Sequence, residues 1–295
     1  MKRILMLVLF IFFIADLSFP QLEDRFSQLT EDNAVEYSRP LVTTLGTAMN
    51  SGGYYSADIP TMISFSISFR GMYILIPESQ KNFTPTFNDI GYSATGETAT
   101  IYGHKGAVYA GPIGYIVMPP GINQSGIPAG YPQISVSFLG TEVLLRYLPK
   151  ITLNNENDIS MLGIGLAHNL SQYIPFFPID LAFQILYNNI EVTGIMKFNS
   201  LAFNAHASKT FGLITPYFGL QYENTSMDLS YTIKGDINNG DPALTVDKNV
   251  DVSITGSNHF RATLGASLKL AIIILNADFS LGSQPAATGG LTFAF

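Results

Sequence analysis

The 295-residue sequence contains no cysteine and no tryptophan, and only 13% of its residues are charged. Without thiols there can be no disulfide framework, Cys-based zinc site, thiol catalysis or acylated N-terminal cysteine. The shortage of charge says more, because an average soluble domain carries about 25%. What charge exists leans one way, to a net −7, a sign that repels the phosphate backbone on which nucleic-acid binding depends. Long hydrophobic runs are also missing. Beyond Pro20 the longest wholly apolar stretch is Leu270-Ala271-Ile272-Ile273-Ile274-Leu275, far below the roughly 20 residues of a membrane helix. Aromatic residues are abundant: 21 Phe and 15 Tyr bring more apolar surface than a disordered chain holds.

The first twenty residues read as an address. Met1-Lys2-Arg3 is basic, Ile4 to Ile14 is apolar, and Ala15, Asp16, Ser18 and Pro20 follow. The run is too short to span a bilayer, so 1–20 is expected to be a secretory signal peptide, with the mature start between 16 and 22. An exported chain without a helical span is either soluble or crosses a membrane as a closed sheet. Residues 21–58 form a segment of different texture. Leu22, Phe26 and Leu29, then Ala34, Tyr37, Leu41, Leu45 and Met49, follow helical spacing, with Glu23, Asp24, Arg25, Glu31, Asp32 and Glu36 between them. Pro40 predicts a break or kink, and Ser51-Gly52-Gly53 a stop. Two short amphipathic helices or one kinked helix are expected, capping one end of the fold as the first reading and plugging it as the second.

From residue 59 the period is two. Ile63-Ser64-Phe65-Ser66-Ile67-Ser68-Phe69 alternates strictly, and so does Ile134 to Phe138; one-sided apolar faces also run through Ile179 to Tyr187, Ala262 to Leu270, Ile273 to Leu281, and Leu291-Thr292-Phe293-Ala294-Phe295. Three polar steps, Asn188-Asn189, Asn199-Ser200 and Glu223-Asn224, look like tight hairpin turns. Residues 77–97, 119–132 and 234–250 look like long loops. The polar face carries Ser, Thr, Asn, Gln and Gly rather than the Lys and Glu that would protect an open sheet's water face and edges. The expected fold is therefore all-β: a closed antiparallel transmembrane β-barrel over 59–295, with a short N-terminal helical segment. About 18 residues per strand and connection give an even count of 12–14 strands. Phe65, Phe69, Leu264, Leu268 and Phe293 are the candidate membrane-facing residues. Tyrosines near strand ends suit an interfacial girdle, and short turns would face inward with long loops outside.

Three resemblances bear on identity. The closing Leu291, Phe293 and Phe295 resemble the terminal strand of bacterial outer-membrane proteins; this implies an assembly signal read by the barrel-assembly machinery. Pro40-Leu41, Gly46 and Asn50-Ser51-Gly52-Gly53-Tyr54-Tyr55-Ser56-Ala57 resemble the N-terminal stretch of a family of uncharacterised outer-membrane barrels, in which Trp stands where Gly53 does and Thr where Ser56 does. That family brings no established activity. By architecture alone, the chain is distantly similar to the long-chain fatty-acid transporter barrels, which have an N-terminal plug.

Chemistry is sparse. His104, His168, His206 and His259 stand apart, and there is no H-E-x-x-H, G-x-S-x-G, G-x-G-x-x-G or Walker loop. His168-Asn169-Leu170-Ser171 has the residue types of an outer-membrane phospholipase site, but neighbours on a strand face opposite ways. Asp236 to Asp241, with Asp247 and Asp251, is rich in oxygen ligands yet lacks calcium-loop spacing, so it reads as a solvated loop. Lys197, Lys234, Arg261 and Lys269 are candidate lumen charges. The sequence thus predicts no enzyme, cofactor or metal. It predicts an outer-membrane barrel among lipids that acts as a channel or transporter for a small or lipid-like solute. The alternatives are a structural or adhesive barrel with binding loops, and a secreted soluble β-sandwich.

Overall fold

Strands with one apolar and one polar face leave unpaired edges unless the sheet closes, and this sheet closes. A computed structural model describes residues 25–26, 29–87, 93–112, 114–153, 157–233 and 248–295; the expected signal peptide lies outside them. The strands are β1 (Ser64–Leu75), β2 (Asn82–Phe83), β3 (Thr98–Ala99), β4 (Val108–Gly111), β5 (Gly114–Val117), β6 (Gly126–Phe138), β7 (Thr141–Leu153), β8 (Asn157–Asn169), β9 (Asp180–Val192), β10 (Met196–Ser208), β11 (Ile214–Ile233), β12 (Lys248–Thr255), β13 (Phe260–Leu270), β14 (Ile273–Leu281) and β15 (Ala286–Ala294). Ten of them, β1, β6–β11 and β13–β15, form a closed antiparallel barrel. At the seam between β1 and β15, Phe65 and Phe295 exchange two backbone hydrogen bonds, of 2.9 and 2.8 Å.

Ten strands correct the expected 12–14. The excess came from two places. Among the described residues, 76–125 contribute no wall strand and hold the small pairings β2–β3 and β4–β5. The polar steps at Asn188-Asn189, Asn199-Ser200 and Glu223-Asn224 are not turns, for they lie inside β9, β10 and β11. What changes at each of them is the phase of the alternation. On β11, Ile214, Phe218, Leu220 and Tyr222 point outward while Thr215, Tyr217 and Gln221 point in. Beyond Glu223 the order inverts, so that Asn224, Asp228 and Ser230 point outward and Met227, Leu229 and Tyr231 are buried. The steps on the three strands are in register, Asn188 against Ser200 and Ser200 against Thr225. The far half of β11 pairs with β12, whose Val250, Val252 and Ile254 are buried and whose Asp251 and Ser253 are exposed.

The barrel has unlike ends. At the mouth holding Ser64 and Ala294 the connections are short, 139–140, 209–213 and 271–272, with 170–179 the longest. At the opposite mouth lie the described parts of 76–125 and the paired ends of β11 and β12, Ile233 and Lys248. We call these the turn mouth and the loop mouth. A 20-residue helix, α1 (Glu31–Asn50), lies inside the barrel and continues through Pro40. The missing helical bond of a proline costs about 3 kcal/mol. The helix nevertheless continues, enclosed by the wall, to which the Pro40 carbonyl is tied: it accepts from Gln284 Nε2 at 3.1 Å, besides Thr44 Oγ1 of its own helix at 2.9 Å. Among the described residues no helix is long and apolar enough to cross a membrane.

Candidate functional site

The interior is stacked in three tiers, set by where each strand's alternation inverts. The tier at the loop mouth is apolar. Here α1 packs Ala34, Tyr37, Leu41 and Leu45 against Met227, Leu229 and Tyr231 of β11 and against β12. Connection 76–125 lies over it: Tyr37 Oη donates to Pro120 O at 2.8 Å, and the Ile101 amide donates to Tyr37 O at 3.0 Å. Beside the helix, Phe26, Leu41, Met196, Met227, Leu229 and Tyr231 line a cavity of about 290 Å³, with Ser230 and Asp251 at its edge.

The middle tier holds the helix C-terminus, whose last carbonyls need donors and carry the negative end of the helix dipole. The helix has no basic residue in its last turn; the barrel wall supplies arginines instead. Arg146 on β7, wholly buried, donates to Met49 O, Ser51 O (3.2 Å), Gln133 Oε1 (3.1 Å) and Asn188 Oδ1 (3.2 Å), and its guanidinium lies 4.4 Å from the Tyr131 ring centroid. Arg261 on β13 donates to Thr47 O at 3.1 Å and forms a two-pronged pair with Glu223, at 2.9 and 3.2 Å. Asn50 Oδ1 accepts from Ser200 Oγ at 3.0 Å and Asn188 Nδ2 at 3.3 Å. The helix also fits the wall closely, since a Cβ on Gly46 would lie 2.3 Å from Thr225 Cγ2.

Below it the chain turns at Gly52, where a φ of +63° and the Arg70 side chain leave little choice but glycine. Tyr54 stacks on His206 at 4.1 Å, and Arg70 lies 5.3 Å from the Tyr55 ring centroid. Under these rings, at the turn mouth, lies a polar vestibule of about 450 Å³ whose lining includes Ser66, Ser135, Ser137, Glu142, His206 and Lys269.

The candidate surface residues share one side of the wall. Phe65 (55% exposed), Phe69 and Leu264 (67% exposed) point outward, as do the less exposed Leu268 and Phe293. Phe69 pairs with Leu291, and Phe293 with Ile67 and Ile273. Of the candidate lumen charges, Arg261 and Lys269 face inward and Lys234 lies outside the described residues. Lys197 is a correction: it is exposed on the outer face, in register with Asp228 and Glu191. It sits on the far side of the phase inversion, where polar side chains point out. His168 bonds Thr141 at 2.8 Å and Tyr173 at 3.0 Å, structural partners in the wall. The acidic run Asp236 to Asp241 lies outside the described residues, and Asp251 accepts from Ser230 Oγ at 2.6 Å. Among the described residues no three His, Asp or Glu are grouped to hold a metal. Arg70 and Arg146 were missed by the sequence reading. Arg70 continues the serine face of Ser64, Ser66 and Ser68, a signal that was available; Arg146 sits in a stretch without alternation and gave none.

An antiparallel barrel with an apolar outer belt and an internal helix defines the class: a plugged β-barrel. The chain belongs to DUF6588, a family of unknown function, which it matches over residues 1–295. No curated protein matches it. Among solved structures, it is similar to the transport unit of the autotransporter AIDA-I from Escherichia coli, at 10% identity over 88% of this chain and 97% of that one, TM-score 0.29. The translocator domain of autotransporter NalP from Neisseria meningitidis follows at 9%, 86%, 93% and 0.26, and Salmonella typhi OmpF at 9%, 82%, 99% and 0.22.

Proposed function

We propose that this protein is an outer-membrane β-barrel that passes small or apolar solutes and is closed at rest by α1. The outward face of β11 carries this reading. It is apolar from Ile214 to Tyr222 and polar from Asn224 onward, a belt of about 27 Å along the strand at ~3.4 Å per residue. At the ~35–45° tilt of such strands this becomes about 19–22 Å, close to the ~25 Å band of outer-membrane barrels. Lipid surrounds Phe65, Phe69, Leu264, Leu268 and Phe293; the turn mouth faces the periplasm; and the assembly machinery reads Leu291, Phe293 and Phe295 after export on a cleaved signal peptide. The apolar cavity beside Leu229 receives solute, and the vestibule receives it after the helix shifts.

Reconstitution in liposomes tests this. Wild type is expected to conduct little, and Gly46→Leu, which unseats α1 from Thr225, to conduct at least tenfold more. Leu229→Trp, which fills the upper cavity, should abolish binding of an apolar fluorescent probe. Recovery of the protein without detergent, or conductance unchanged by Gly46→Leu, refutes the reading.

A further inference from the structure

The direction in which the N-terminal segment runs through the bore has a consequence for what the cell surface carries. Residues 25–37 are fastened at the loop mouth. Arg25 Nη1 donates to Pro120 O at 3.0 Å, Asn33 Nδ2 to Thr86 O at 2.9 Å, the Thr86 amide back to Asn33 Oδ1 at 2.9 Å, and Tyr231 Oη to Leu29 O at 3.4 Å. Met49, Asn50 and Ser51 are held at mid-bore by Arg146, Asn188 and Arg261. Residues 57–61 are fastened at the turn mouth: the Ala57 amide donates to Ser208 Oγ at 2.9 Å, Asn169 Nδ2 to Ala57 O at 2.9 Å, and the Leu139 amide to Thr61 O at 2.9 Å. The chain therefore crosses the barrel once, from loop mouth to turn mouth, before β1 begins.

We infer that the barrel threads its own N-terminal segment and presents the start of α1 on the cell exterior, so that Glu31 and Asp32 belong to the outer surface. This rests on the proposed orientation, with the turn mouth in the periplasm. A cap docked from the periplasm would have put these residues among the short turns, beside Ser64 and Ala294. A peptide placed ahead of Arg25 is carried outside with the helix start, which makes surface presentation of an N-terminal extension a second activity of the fold.

The chain has no cysteine, so an introduced thiol is the sole target for a membrane-impermeant maleimide. Three single variants at exposed positions suffice: Asp32→Cys at the helix start, Ser257→Cys at the loop mouth and Lys209→Cys at the turn mouth. Each is checked for heat-modifiable gel migration. On intact cells Asp32→Cys and Ser257→Cys should label at least tenfold more than Lys209→Cys, and all three equally after lysis. An epitope between Asp24 and Arg25 should bind antibody on intact cells. If Ser257→Cys labels and Asp32→Cys does not, the threading inference falls while the orientation stands. If only Lys209→Cys labels, the barrel is inverted and both fall. If all three label only in a detergent-free soluble fraction, the outer-membrane reading has failed.

Discussion

Glu223 and Arg261 stand where wall, helix and bore meet, and removing one, the other or both separates their roles. Both side chains are almost wholly buried, 0% and 2% exposed. A charge in such a place is tolerable only with its partner. Breaking a buried pair from one side costs about 3–5 kcal/mol, whereas replacing both members with apolar residues of similar size is often near neutral. Here the double replacement also removes one bond each from Gln221 Nε2, which keeps Asn50 O at 3.3 Å, and from Thr47 O, which keeps Ser51 Oγ at 2.6 Å, at about 0.5–1.5 kcal/mol a bond. Glu223→Gln should therefore lower the heat-modification midpoint by roughly 6–20 °C, at ~2–4 °C per kcal/mol for a chain of this size. The double variant Glu223→Leu/Arg261→Met should lose less than either single change. The assay is the temperature at which the compact gel band gives way to the unfolded one. Conductance provides the second axis: Arg261→Met removes a donor from the helix C-terminus and should raise channel openings, while Glu223→Gln leaves that donor in place and should not. A double variant that falls by the sum of the single effects would refute the coupling and with it the account of how α1 is held.

Two further predictions concern the outer face and the terminal strand. Leu264→Lys should destabilise the barrel in bilayers by about 2–4 kcal/mol, the cost of a lysine near the midplane. Ser253→Lys, outward on β12 beyond the inversion and opposite Asp228, should cost about 0–1 kcal/mol; equal costs in a urea titration of liposome-embedded protein would move the belt. Phe295→Ser should cut the amount of folded barrel reaching the outer membrane severalfold while refolding in detergent micelles is unchanged, since both seam bonds of Phe295 come from its backbone. Equal loss in the two measurements would assign Phe295 to stability rather than to assembly.

The sequence by itself determined the barrel. Phe65, Ile67 and Phe69 against Ser64, Ser66 and Ser68 set two faces of opposite polarity, and the want of charge left no water-loving exterior for a soluble sheet. Helical spacing from Ala34 to Met49 set an N-terminal helix. Only the tertiary structure decided which side of the wall each stretch addresses. An alternation with period two carries no record of which face is inside, so its reversal at Asn188, Ser200 and Glu223 has the same local chemistry as a turn: small polar residues between two apolar runs. Those residues are polar because they meet the helix end and its arginines at the centre of the bore, a contact between segments more than a hundred residues apart, such as Asn50 with Asn188 and Ser200. Pro40 was misleading for a related reason. Its local cost is offset by a surrounding wall that no short stretch of sequence announces.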